Sequence, residues 1–266
     1  MGIRVLVSGA NGRMGREVVK GILADPELEL VGAVGRQSGI GQDIGVLAGR
    51  EPLGLALEPD LGAAIARSGA EVVVDFTRPA VVKENLETIA KQRAHAVIGT
   101  TGITEADIPA IAALYQEHGV SAVIAPNFAV GAVLLLKFAA QAARFFPQVE
   151  IIETHHDQKL DAPSGTAIKY AEAIARAAGG CTPAPTKVEK VAGVRGGELK
   201  GIKIHSLRLP GFVAHHTLIF GGLGQSLTLK HDSISRESFI PGVILAVKRV
   251  PRLNGVVYGL ENLLEL

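Results

Sequence analysis

The segment Glu153-Thr154-His155-His156-Asp157-Gln158-Lys159 continues through Leu160-Asp161-Ala162-Pro163 into Ser164-Gly165-Thr166-Ala167. Two imidazoles and an ammonium group so close together are titratable donors suited to proton transfer near neutral pH. The segment leaves a predicted strand, crosses a loop and enters a predicted helix. Ser164, Gly165 and Thr166 then stand at a helix start, where free N–H groups and the helix dipole favour an anion such as a carboxylate. A solvated charged loop, with Ser164 only capping the helix, is the competing reading. No metal is expected: adjacent histidines on an extended segment point to opposite faces, and no third ligand has suitable spacing. A second pair, His215-His216, lies on another predicted strand and reads as one core-facing and one exposed ring.

A different chemistry is written at Gly9-Ala10-Asn11-Gly12-Arg13-Met14-Gly15, which follows the first predicted strand and opens the first predicted helix. Such a turn brings bare backbone and helix N–H groups up to a pyrophosphate, so a nicotinamide dinucleotide is expected there. The spacing is G-x-x-G-x-x-G, with Asn11 in place of the usual second glycine, and asparagine tolerates the left-handed region better than most residues. A merely structural strand–turn–helix is the alternative. At the end of the second strand, where an acid would hold a ribose 2′-hydroxyl, the chain has Gly35-Arg36. Arg36, with Arg13, suits a 2′-phosphate, which tilts the expectation towards NADPH without excluding NADH.

The elements that must position these groups follow two patterns. Ile3–Val7, Leu30–Val34, Val72–Asp75, Ala96–Ile98 and Ala122–Ile124 read as buried parallel strands, separated by helical stretches at Arg13–Leu23, Ala80–Lys91 and Glu105–His118. That alternation predicts a Rossmann-like, doubly wound parallel sheet. After Pro126-Asn127 the pattern changes. A helix is expected over Val133–Phe146, a strand over Val149–Thr154 and a helix over Thr166–Ala177. Ile202–Leu209, Ala214–Phe220 and Gln225–His231 then suggest an antiparallel meander in a second, α+β domain, whose sheet is expected to be mostly antiparallel or mixed. Ser235–Val250 is read as helical apart from an early Pro241, and as returning to the first domain. The expected division is 1–126 completed by 237–266, with 127–236 as the second domain.

Composition narrows the class. With 27 Lys and Arg against 26 Asp and Glu, the net charge of +1 gives no basic field for nucleic acid. The one cysteine, Cys181, excludes an intramolecular disulfide framework and fits a reducing compartment, so a cytoplasmic location is expected. Gly119 to Leu136 carries no charge for 18 residues, but Pro126 and Asn127 interrupt it with turn chemistry. It reads as a buried strand, a loop and a helix start, not a membrane span.

Taken together, GANGRMG (9–15), DFTRP (75–79), VIGTTG (97–102), APNFAVG (125–131), ETHHDQKLDAPSGTA (153–167), IHSLRLPG (204–211) and SRESFIPGV (235–243) resemble the 4-hydroxy-tetrahydrodipicolinate reductase (dihydrodipicolinate reductase) family along essentially the whole chain. The resemblance implies NADPH- or NADH-dependent reduction of a small dicarboxylic substrate on the diaminopimelate route to lysine, by a homotetramer. It implies that Gly9, Ala10, Asn11, Gly12, Arg13 and Met14 hold the pyrophosphate and Arg36 the adenosine ribose end. It further implies that Gly99, Thr100, Thr101, Ala125, Pro126, Asn127 and Phe128 line the nicotinamide side. His155 and Lys159 match proton-transfer positions, and His156, Ser164, Gly165 and Thr166 match substrate contacts. Gly35 stands where some members have the ribose-binding acid. Another imine or carbonyl reductase on the same scaffold, or a nicotinamide-sensing protein without catalysis, would share the dinucleotide turn.

Overall fold

The computed structural model describes residues 2–36, 38–146 and 148–264. In chain order the strands are β1 (Ile3–Ser8), β2 (Leu28–Val34), β3 (Leu57–Glu58), β4 (Val72–Asp75), β5 (His95–Ile98), β6 (Ala122–Ile124), β7 (Gln148–His155), β8 (Gly197–Leu199), β9 (Ile202–Arg208), β10 (Ala214–Gly222), β11 (Gln225–Ser233) and β12 (Val256–Tyr258). The helices are α1 (Arg13–Ala24), α2 (Ile44–Leu47), α3 (Leu61–Ser68), α4 (Pro79–Lys91), α5 (Ile108–His118), α6 (Val130–Ala142), α7 (Gly165–Ala178) and α8 (Ile240–Arg249). Two compact units result, Met1–Val130 with Arg236–Leu266, and Gly131–Ser235.

The first unit holds a wholly parallel sheet in the order β12-β6-β5-β4-β1-β2-β3. Runs such as Val72-Val73-Val74 are buried on both faces, which is why they lack the alternation of a half-exposed strand. The six strands from β3 to β6 follow the doubly wound order, and its switch point falls between β1 and β4. Short elements were not expected here: α2, β3 and α3 fill the interval 44–68, and β12 adds a parallel edge strand beside β6. Such brief elements carry too few residues to show a period. At the carboxyl end, Ser235–Val250 is not one helix. A 3-10 turn over Arg236–Phe239 precedes α8, because Pro241 belongs at a helix start.

The second unit is a five-stranded mixed sheet, order β11-β10-β7-β9-β8, packed against α6 and α7. The expected antiparallel meander is corrected here. β7 inserts between β9 and β10, running parallel to β9 and antiparallel to β10. The turn Pro210-Gly211 therefore joins strands that are not neighbours; of the three strands expected in the meander, β10 and β11 form a hairpin, and β9 forms one with the short β8 instead. β7 reaches β9 through α7, the crossover that a parallel pair requires. No helix among the described residues is long and apolar enough to cross a membrane.

Candidate active site

In the first unit, the glycine turn closes tightly on itself. Gly9 adopts φ +78°, and a β-carbon there would lie 2.4 Å from the Phe76 carbonyl oxygen. A β-carbon on Gly15 would meet the Gly9 carbonyl at 2.1 Å, so the third glycine lets α1 pack directly on the turn. Gly12 is the N-cap of α1 and provides no side-chain cap, which leaves the first-turn N–H groups directed outwards. Asn11 is not in the left-handed region, contrary to the sequence expectation. Its role lies in its side chain: Nδ2 donates to the Ser38 carbonyl at 2.7 Å and, more weakly, to that of Arg36 at 3.4 Å. Turn, Arg36 and the exit of β4 border one cleft of about 430 Å³ at the switch point. A bare-backbone cradle, an uncapped helix start and a guanidinium on one cleft fit a dinucleotide.

A buried carboxylate that sequence reasoning missed holds the next part of this cleft. Asp75 ends β4 with no exposed surface. It accepts hydrogen bonds from Thr77 N at 3.1 Å, Thr77 Oγ1 at 2.7 Å, Thr100 Oγ1 at 2.5 Å and Asn85 Nδ2 at 2.7 Å. The signal was present in DFTRP, but only as a motif without assigned roles. Thr100 is consequently buried with its hydroxyl committed, whereas Thr101 is exposed. Gly99 accommodates the Phe76 ring, 2.2 Å from where a β-carbon would stand. Ala125 and Phe128 are core residues, and the Phe128 ring packs on Phe76 with centroids 5.9 Å apart. Pro126 is exposed; Asn127 accepts from Ala129 N at 2.9 Å in a local turn.

The second unit carries the donor-rich segment. β7 ends at His155, and the loop from His156 leads to α7, whose N-cap is Ser164. Ser164 is buried, and its hydroxyl accepts from Ala167 N at 3.2 Å. Capping and an anion-favouring helix start are thus the same feature: with Ser164 occupied, Gly165 and Thr166 form the accessible surface. Lys159 is partly exposed, and its ammonium pairs with Asp161 at 2.6 Å. His156 is exposed, while His155 is buried.

Around His155 the sheet gathers groups far apart in sequence. Its Nδ1 lies 2.5 Å from Glu153 Oε2, and the other Glu153 oxygen accepts from Arg208 at 2.8 Å. Burial alone would raise the Glu153 pKa, but bonds from His155, Arg208 and Ser206 hold it down to about 2. His216, the core-facing ring of its pair, meets His155 edge-on at 5.5 Å and Ser164 Oγ at 3.3 Å. Burial, then the neighbouring His155, lowers its pKa to about 3, so it stays neutral at physiological pH. Sequence spacing offered no third ligand beside His155 and His156. Folding nevertheless brings donor atoms of Glu153, His155 and His216 within 4.8 Å of one another. The direct 2.5 Å contact and a guanidinium on the same carboxylate make this an ion-pair network, with little room or charge for a cation.

Family models for the two halves of dihydrodipicolinate reductase match this chain, the N-terminal part over residues 3–128 and the C-terminal part over 131–264. The chain belongs to the dihydrodipicolinate reductase family. Among similar members, the 4-hydroxy-tetrahydrodipicolinate reductase of Moorella thermoacetica is 52% identical over 264 residues, spanning 99% of this chain and 98% of that protein. The one from Desulfitobacterium hafniense strain DCB-2 is 51% identical over 266 residues, spanning 99% of both. A solved dihydrodipicolinate reductase from Paenisporosarcina sp. TG-14, with dipicolinate bound, superposes with a TM-score of 0.89 at 41% identity, covering 99% of this chain and 100% of that one. The amine dehydrogenase of Mycobacterium smegmatis, at 15% identity and a TM-score of 0.68, shares only the fold.

Proposed function

We propose that this chain reduces 4-hydroxy-tetrahydrodipicolinate to tetrahydrodipicolinate, on the diaminopimelate route to lysine. Full-length membership of the reductase family carries this reading. The chemistry of the second unit supports it: a dicarboxylic substrate needs an anion site beside proton donors, and the α7 start adjoins the His155–Lys159 loop.

A bound reduced nicotinamide supplies the hydride. Gly9, Ala10, Asn11, Gly12, Arg13 and Met14 hold the pyrophosphate through bare backbone and the α1 start. Gly99, Thr100, Thr101, Ala125, Pro126, Asn127 and Phe128 shape the nicotinamide end, Thr100, Ala125 and Phe128 mainly from within the fold. Gly165, Thr166 and His156 bind the substrate carboxylates, with Ser164 fixing the helix start. Once water has left the substrate, its unsaturated ring takes up the hydride and one proton; Lys159 gives that proton and His155 assists or relays it. NADPH is the preferred cofactor, because Arg36 offers a guanidinium at the ribose end and Gly35 offers no acid.

The active assembly is a homotetramer, a reading supported by apolar side chains left exposed on the second unit, Leu207 and Ile219 on strands and Leu223 at a turn. Its place is the cytoplasm, in keeping with a single unpaired cysteine. The deciding experiment follows oxidation of NADPH and NADH in parallel with freshly generated 4-hydroxy-tetrahydrodipicolinate. Cofactor binding without oxidation would favour a sensor, and turnover only of other imines or carbonyls a different reductase.

A further inference from the structure

Glu153 and His155 stand two residues apart on β7 and so project to one face, and the parallel partner β9 places Arg208 opposite His155. Glu153 is fully buried, a costly place for a carboxylate unless it is paired. It is paired on both oxygens, with Arg208 Nη2 at 2.8 Å and His155 Nδ1 at 2.5 Å. Neither Nδ1 nor the oxygen facing it has any hydrogen-bond partner of standard geometry, so this close approach is the one polar contact either atom makes. Arg208 Nη2 also donates to the main-chain carbonyl of Asp161 at 2.7 Å. Asp161 in turn holds the Lys159 ammonium at 2.6 Å. One guanidinium therefore ties the carboxylate behind His155 to the loop that carries Lys159.

We propose that Glu153 and Arg208 are positioning residues for proton transfer: Glu153 keeps a proton on Nδ1 of His155, so that exchange takes place only at Nε2, and Arg208 fixes both that carboxylate and the Lys159 loop. The proposal rests on the reading of His155 and Lys159 as the proton-transfer pair. Neutral imidazole has two tautomers, and an anionic acceptor against Nδ1 selects the Nδ1–H form. Without Arg208, burial would push Glu153 towards its protonated form, and an acid has less need of a proton from the ring. The remaining polar rings against this cluster, His216 from β10 and Tyr170 from α7, do not compete. Tyr170 donates its hydroxyl to the Ala132 carbonyl, and His216 Nε2 faces Ser164.

A buried ion pair that merely joins two strands would also account for the contacts, and the test separates the two. ¹⁵N-imidazole spectra, recorded at about pH 9 with His155 assigned through its loss in His155→Asn, report the tautomer directly. The expected pattern is Nδ1–H with a bare Nε2; an Nε2–H ring in the wild-type chain overturns the proposal, whether or not any variant folds. Glu153→Gln should keep cofactor affinity and lower kcat roughly 100-fold, with the substrate KM changed less than about threefold. Arg208→Lys, which retains the charge but not the fork, should lower kcat roughly tenfold. A folded Glu153→Gln with unaltered kcat and an unaltered His155 spectrum leaves only the structural role and overturns the proposal. If the wild-type chain turns over no substrate yet shows Nδ1–H, the arrangement is supported and it is the functional reading that fails.

Discussion

The side chain of Asn11 occupies the space that a β-carbon on Gly35 would need, with Oδ1 only 2.5 Å from that position. The two departures visible in the dinucleotide-binding sequence are therefore one structural feature. Asn11 crosses from the glycine turn to the loop after β2, holds the Ser38 carbonyl, and in doing so makes glycine the residue that fits at position 35. An acid introduced there meets the Asn11 side-chain amide first, so the Asn11 side chain must shift to admit it.

This coupling makes cofactor preference testable by a pair of substitutions. Gly35→Asp alone should destabilise the chain by roughly 1–3 kcal/mol through overpacking and weaken both cofactors. Adding Asn11→Gly should recover stability and shift the KM ratio towards NADH by about tenfold or more, the scale of one charged hydrogen bond. Thermal unfolding and parallel KM measurements check it; additive effects of the two changes would show that the sites are independent.

Lys159→Ala should lower kcat by roughly 10²- to 10⁴-fold, the usual range for loss of a positioned proton donor. NADPH binding, followed by fluorescence titration, should be unchanged, because the dinucleotide cradle is built from other residues. Near-normal turnover would remove Lys159 from its proposed role.

Asp75 should behave as a support for the cofactor cleft. Asp75→Ala leaves four donors without their buried acceptor and is expected to cost roughly 3 kcal/mol of stability. The KM for the nicotinamide cofactor should rise as the Thr77 and Thr100 loops lose their common anchor. Unchanged melting and KM values would show that the loops hold themselves.

Stability should fall on mild acidification, before carboxylates titrate. Burial lowers His216 from 6.5 to about 3, so between those values the unfolded chain binds a proton that the folded ring refuses. Stability therefore rises with pH across that window, and His216 contributes a loss of roughly 2 kcal/mol between pH 7 and pH 5. His95 and His231, also lowered by burial, add to the same slope. Glu153 acts lower down: its stabilisation is complete above 4.5 and is lost as pH falls towards 2. Denaturant unfolding at several pH values should show a shallower slope above pH 5 for His216→Gln than for the parent chain.

Local patterns were enough to read much of this protein from its residues. Continuous β-branched runs with helices between them determined a doubly wound sheet, because strands buried on both faces have few other compositions. Gly9, Gly12 and Gly15 determined a turn able to bring backbone up to a phosphate, and Ser164-Gly165-Thr166 a helix start, since both depend on residues adjacent in sequence. Tertiary structure alone decided which distant residues complete these sites. Strand order is set by lateral pairing, on which local periodicity is silent; hence the insertion of β7 between β9 and β10, which brings Arg208 and His216 to Glu153 and His155, was hidden. The fit of Asn11 against Gly35 was hidden for a related reason. Whether a side chain excludes a β-carbon depends on ångström-scale packing between two strand ends, while the sequence shows only that both residues are small or polar.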